Sequence, residues 1–191
     1  MAEGQLKNQF LLAMPNLLGT YFGDTITYLC EHTEDGAMGL MINRRTDMSL
    51  FELLSHAGFK ADNRLLQTPV YEGGPVASEQ GFVLHSARSM DGRMDLFDTS
   101  MDLNNGLMLS TAVDLLERLG QDEGPEHYLI ALGYSGWGAG QLEEEIKQNA
   151  WLTCPGSADV IFNVQDDQKV TRAAQLLGIN FSLIAGQAGH A

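Results

Sequence analysis

The segment LIALGYSGWGAGQLEEEIKQNAWL, residues 129–152, is the first place to look for chemistry in this chain. An apolar run leads into glycines at 133, 136, 138 and 140 and then into a helical pattern, which reads as a strand, a glycine-rich turn and a helix. A phosphate-binding loop of the GxxxxGK[ST] type needs a lysine and a hydroxyl after the glycines, and neither follows here. The glycine spacing also misses the dinucleotide fingerprint. Glu143, Glu144 and Glu145 occupy the first turns of the helix, where they complement the positive end of its dipole and would oppose a bound anion. A nucleophile elbow needs GxSxG, and GYSGW puts Trp137 at the last glycine position, so Ser135 is a poor nucleophile. Packing accounts for more of the pattern. Glycines permit a sharp reversal and close helix–strand approach. Leu142 and Ile146 face the core, and Glu143 with Lys147 forms an exposed i,i+4 pair. Trp137 and Trp151 clamp the two ends of the helix, with a partner-facing Trp137 as the functional alternative.

Other reactive groups are sparse. His32, His56, His85, His127 and His190 form no HxH or HExxH spacing, so no metal is expected. His85 ends a strand near EGGPV, where it could share a loop face with Glu72. Cys30 and Cys154 lie far apart and outside any CxxC, the pattern of two buried thiols rather than a disulfide framework. Eleven basic residues face 25 acidic ones, a net charge of −14, which repels polyanions. The densest basic pair, Arg44-Arg45, is followed almost at once by Asp47, and no helix-turn-helix is legible, so direct DNA binding is not expected. No stretch approaches the roughly 20 apolar residues needed to span a bilayer, and a cytoplasmic protein without membrane association is the expectation.

The elements that must position these groups alternate without a steady βαβ rhythm. QFLLAMP reads as a buried opening strand, and DTITYLCEH and AMGLMINR as a hairpin turning at Asp35-Gly36. SLFELLSHAG is a helix with Ser49 as N-cap, Glu52 at capping-box spacing and Gly58 as its stop. TPVYEGGPV and QGFVLHSA are short strands split by a Gly-Gly-Pro turn, and RMDLFDTS and GLMLS read as further strands. STAVDLLERLG is an amphipathic helix, ADVIFNV a strand, and DQKVTRAAQLLGI a helix ended by Gly178. The result is a single α+β domain over residues 1–191, a mixed sheet flanked by helices.

In order and spacing, FLLAMPNL, YLCEHTEDGAMGLMINR, VYEGGPV, GFVLHS and GYSGWGAGQLEEEIKQNAWL resemble the YqgE/AlgH family over nearly the whole chain. WLTCP and the ending LIAGQAGHA are most similar to its pseudomonad AlgH branch. The resemblance implies a bifurcated sheet that includes a small barrel, and it brings no cofactor, catalytic residue or substrate. One family member carries the label of transcriptional regulator of alginate synthesis, a genetic label rather than a mechanism. Two positions depart from the family pattern. Arg45 stands where proline usually follows the Asn-Arg pair, and Ser135 where alanine is common.

The expectation is a non-catalytic cytoplasmic binding or regulatory protein, without cofactor, acting through a protein or small-molecule partner. Its candidate surface comprises Asn43, Arg44, Gly73, Gly74, Pro75, His85, Trp137, Gln141 and Glu145, polar and aromatic residues on or beside predicted turns. The alternative is a small hydrolase or transferase using His85 with a carboxylate, Glu72 or Glu145.

Overall fold

The computed structural model describes residues 6–87, 100–111, 113–121 and 124–180. In chain order these form β1 (Gln9–Ala13), β2 (Ile26–Thr33), β3 (Gly36–Met41), β4 (Arg45–Ser49), α1 (Leu50–His56), β5 (Pro69–Glu72), β6 (Val76–Ser86), β7 (Ser100–Asp102) and β8 (Leu107–Ser110). α2 (Val113–Gly120), β9 (Tyr128–Gly138), α3 (Gln141–Lys147), β10 (Trp151–Pro155), α4 (Ala158–Phe162) and α5 (Lys169–Gln175) follow. The expected strand in RMDLFDTS lies mostly outside the described residues, and β7 begins only at its last residue.

The strands make one curled, forked sheet in the order β10-β1-β2-β3-β9-β6-β8-β7, with β5 also paired to β9 and β4 to β5. Strand β9 is the hub. Its first half lies between β6, antiparallel, and β5, parallel, with Ile130 opposite both Val83 and Val70. Its second half leaves β5 and pairs with β3, from Gly39↔Ser135 to Gly36↔Gly138. The fork closes at Gly73, whose N–H donates to the Leu132 carbonyl at 2.8 Å while its own carbonyl accepts the Met41 N–H at 2.9 Å. Only glycine fits there: a Cβ on Gly73 would stand 2.2 Å from the Gly133 carbonyl oxygen, and one on Gly74 2.1 Å from the Tyr134 carbonyl carbon.

The glycine-rich segment is therefore not mainly a turn. Strand β9 runs through Gly138, so three of the four glycines lie within the strand, Gly133 at the close approach to Gly74, and only Ala139-Gly140 turns the chain into α3. Gly133, at φ 70°, also reverses the strand's alternation. Before it, Leu129 and Ala131 face the largest core and Ile130 faces the α1–α2 side; beyond it, Tyr134 packs on the largest core and Trp137 turns to the α3 side. A second expectation fails at ADVIFNV, which forms α4 rather than a strand. Val160 and Ile161 are buried with Ala173 and Ala174 of α5 in the largest core, and that burial outweighs the β preference of the branched side chains. The helix α1 has the expected capping box between Ser49 and Glu52, and Gly58 and Gly178 take positive φ at 82° and 71°. Both cysteines are buried and unbridged; burial raises the Cys30 thiol to about 12 and the Cys154 thiol to about 11.

Candidate functional site

The two tryptophans, which the sequence places at opposite ends of α3, converge on one carboxylate. The indole N–H groups of Trp137 and Trp151 both donate to Glu145 Oε2, at 2.9 and 2.7 Å. Gln141 donates to the other oxygen at 2.9 Å, and its own amide oxygen accepts the Gly138 N–H at 3.0 Å. The spacing of α3 accounts for this, because positions 141 and 145 share a helix face one turn apart. The rings meet edge to face at 5.9 Å, and Phe22 covers both, 6.3 Å from Trp137 and 5.5 Å from Trp151. The expected Glu143–Lys147 pair does not form. Glu143 bonds instead with His32 of β2 at 2.8 Å, and Lys147 pairs with Glu144. A backbone N–H and the bond to His32 hold the Glu143 carboxyl below its ordinary value.

From Phe22 the network continues across a strap, residues 17–24, that sequence reasoning passed over. Tyr21 packs edge-on against Phe22 and donates its hydroxyl to Glu72 Oε1 at 2.5 Å. Arg44 lies over the Tyr21 ring at 5.3 Å, donates to the Tyr21 carbonyl at 2.7 Å and approaches Glu72 at 3.7 Å. Asn43 ties the strap to the sheet, accepting the Ile26 N–H at 3.1 Å and donating to the Asp24 carbonyl at 2.9 Å. Asn43, Arg44, Trp137, Gln141 and Glu145 thus belong to one connected structure, with Gly73 and Gly74 at the adjoining fork and Pro75 exposed beyond them. At its surface stand Leu18 and Tyr21, 52% and 39% exposed, with Arg44 and Glu72 partly exposed beside them. The signal that could have found the strap is the aromatic pair Tyr21-Phe22 bracketed by Gly19 and Gly23.

His85 stands apart. It is fully buried on β6, and its Nδ1–H donates to the Ser86 carbonyl at 2.9 Å. Its Nε2, 2.8 Å away, accepts the Ser110 hydroxyl, which in turn contacts Ser100. Burial drives the imidazole below its usual pKa, and the Ser86 bond partly offsets that shift. The pairing of His85 with Glu72 or Glu145 is corrected accordingly, since those carboxylates are bonded to Tyr21 and Arg44 and to the tryptophans. Ser135 is also fully buried, in mid-strand, with its hydroxyl donated to the Gly73 carbonyl at 3.2 Å, so it is no elbow nucleophile. Among the described residues, no group of three or more His, Cys, Asp or Glu is placed to hold a metal ion, and no helix is long and apolar enough to cross a membrane.

A forked, half-barrel sheet with an aromatic strap packed on two tryptophans defines a class of fold, and the family model described as AlgH-like matches this chain over residues 10–182. The chain belongs to the AlgH-like family. It is similar to an uncharacterised family protein of Thioalkalivibrio sulfidiphilus, 46% identical over 100% of this chain and 99% of that one, and to one of Paraburkholderia phytofirmans, 48% identical over 97% and 95%. The solution structure of the AlgH protein from Pseudomonas aeruginosa superposes with a TM-score of 0.79 at 41% identity, covering 97% of this chain and 96% of that one. A Corynebacterium diphtheriae protein, 18% identical, shares the fold with a TM-score of 0.69 over 90% and 88%.

Proposed function

We propose that this protein is a non-catalytic, cytoplasmic binding or regulatory protein that recognises its partner at the face formed by Tyr21, Arg44 and Glu72. The observation that carries the reading is the strap. A half-exposed aromatic and a pair of opposite charges are held in fixed geometry by hydrogen bonds among themselves and by packing of Tyr21 on Phe22, which lowers the ordering cost of binding. Aromatic and arginine side chains supply much of the energy of protein interfaces. The competing reading, a hydrolase or transferase, has less support, because the His85–Ser110 pair is fully enclosed.

Any effect on transcription would pass through a partner. Of the Arg44-Arg45 pair, Arg44 lies beside Glu72 and Arg45 is bonded to Asp166, and the surrounding chain carries a charge of −14. Duplex DNA draws its affinity from cations displacing counterions at phosphates. Fluorescence anisotropy with labelled duplexes at about 50 mM salt should show no saturable binding at micromolar protein, and salt-sensitive binding in that range would restore a direct regulator. The recognition face itself is tested by comparing what wild-type protein and the Tyr21→Ala and Arg44→Ala variants retain from lysate, proteins and metabolites alike. A partner retained equally by all three would refute the assignment of the face.

A further inference from the structure

On the other side of β4 and β5 from the strap, a cleft of about 300 Å³ opens between these strands and the connection from α4 to α5. Alternation along the backbone separates the two faces: Arg44 and Glu72 point to Tyr21, whereas their neighbours Arg45 and Tyr71, paired in register, line the cleft. At its floor lies Lys169, 1% exposed, whose ammonium donates to the Ile42 carbonyl at 2.7 Å and to Asp166 Oδ1 at 2.9 Å and sits 5.0 Å from the Tyr71 ring centroid. Tyr71 donates its hydroxyl to the same Asp166 oxygen at 3.0 Å, and Arg45 Nε bonds the other. The Arg45 side chain is 57% exposed, at the mouth. Pro69, Phe162 and Val164 supply apolar wall.

We infer that this cleft is a binding site for a small monoanionic carboxylate with an apolar body, held by Arg45 at its charged end, with the buried Lys169 adding its charge from the floor. Two cations face one carboxylate, so the cluster keeps one net positive charge in a chain whose sum is −14. That surplus suits a single negative charge. A dianionic phosphate would leave an uncompensated charge beside Asp166. The fixed fork of arginine recognises a planar carboxylate, and Arg45 already binds one, Asp166, through its Nε. A pair serving only to fasten α5 to the sheet would not need an open cleft lined by aromatic and aliphatic groups at a volume within the range of ligand sites.

The test is an amide chemical-shift titration of the full-length protein at neutral pH with benzoate, with benzylamine as the cationic counterpart and inorganic phosphate as the dianion. Benzoate should produce saturable shifts around Tyr71, Asn163 and Gln165 with a Kd on the order of 1 mM, an ordinary value for so small a ligand. Benzylamine and phosphate should bind at least about tenfold more weakly, as a missing or surplus charge dictates. Arg45→Gln should weaken benzoate about tenfold or more, the loss of one bidentate partner, while circular dichroism confirms an unchanged fold. Absence of saturation by about 20 mM benzoate, far above that Kd, would overturn the inference. Equal response to benzylamine or phosphate would do the same, as would unchanged benzoate affinity in a folded Arg45→Gln. The strap face is untouched by this variant, so the outcome is independent of partner recognition there.

Discussion

Replacing Glu145 should cost more than any other single polar substitution on α3, because one carboxylate oxygen satisfies two buried indoles. Trp137 and Trp151 are 6% and 4% exposed, so both N–H groups depend on Glu145 for their partner in the intact fold. A stranded buried donor costs about 1–3 kcal/mol, so Glu145→Ala should lose about 4 kcal/mol for the pair. In a chain of this size each kcal/mol moves Tm by about 2–4 °C, which puts the shift at about 8–16 °C. Glu145→Gln keeps an acceptor but loses the charge that roughly doubles such bonds, and should lose about half as much. The assay is thermal and urea unfolding followed by selectively excited tryptophan fluorescence, which reports this site because the chain has only these 2 tryptophans. A double-mutant cycle isolates the bond: in a Trp137→Phe background, Glu145→Ala should cost about 1.5 kcal/mol less than in wild type. A loss below about 1 kcal/mol for Glu145→Ala, or a coupling indistinguishable from zero, would refute the reasoning, because neither indole would then depend on the carboxylate.

Gly73→Ala and Gly74→Ala should each destabilise by at least about 3 kcal/mol, or prevent folding, since their Cβ atoms would overlap the backbone of β9 at 2.2 and 2.1 Å. Ser135→Ala should change stability by less than about 1 kcal/mol, because Gly73 O still accepts the Met41 N–H; far-ultraviolet circular dichroism with urea titration measures all three. Stability should fall in acid through Asp166. Burial alone would raise its carboxyl, but bonds from Lys169, Arg45 and Tyr71 outweigh that and hold it below the ordinary 3.8. A carboxyl depressed in the folded state stabilises above its unfolded pKa and loses that stabilisation as pH falls through the folded value. Melting temperatures taken from about pH 7 downward should therefore drop below about pH 4, with a flatter acid limb in Asp166→Asn. Cys30 and Cys154 should resist a thiol reagent at neutral pH in the folded protein and react with two equivalents in denaturant, which absorbance of the released thiolate follows.

Much of the local structure was legible because it is decided by neighbours in sequence. The hairpin of β2 and β3 follows from a turn residue, Gly36, between apolar runs, and α1 from a capping box whose two partners lie three residues apart. Gly58 and Gly178 stop helices through their own backbone freedom. The candidate residues were also visible, but as members of separate motifs. What joins all of the network but His85, which stands apart, is Tyr21-Phe22, more than a hundred residues before Trp137 and legible only as an aromatic pair between glycines. No rule of spacing foretells that Glu145 bridges both tryptophans, because Trp151 reaches it by returning as β10 to the sheet edge beside β1. The helical state of α4 and the extension of β9 through Gly138 escape the sequence for the same reason. Intrinsic propensities differ by under about 1 kcal/mol per residue, whereas burying Val160, Ile161 and Trp137 is worth several times that. The sequence by itself determined the turns, caps and apolar faces of this protein, which local sterics and hydrogen bonds decide. Tertiary structure alone decided the fork at Gly73, the parity reversal at Gly133 and the two opposed faces of β4 and β5, because each depends on strands that meet only when the sheet closes.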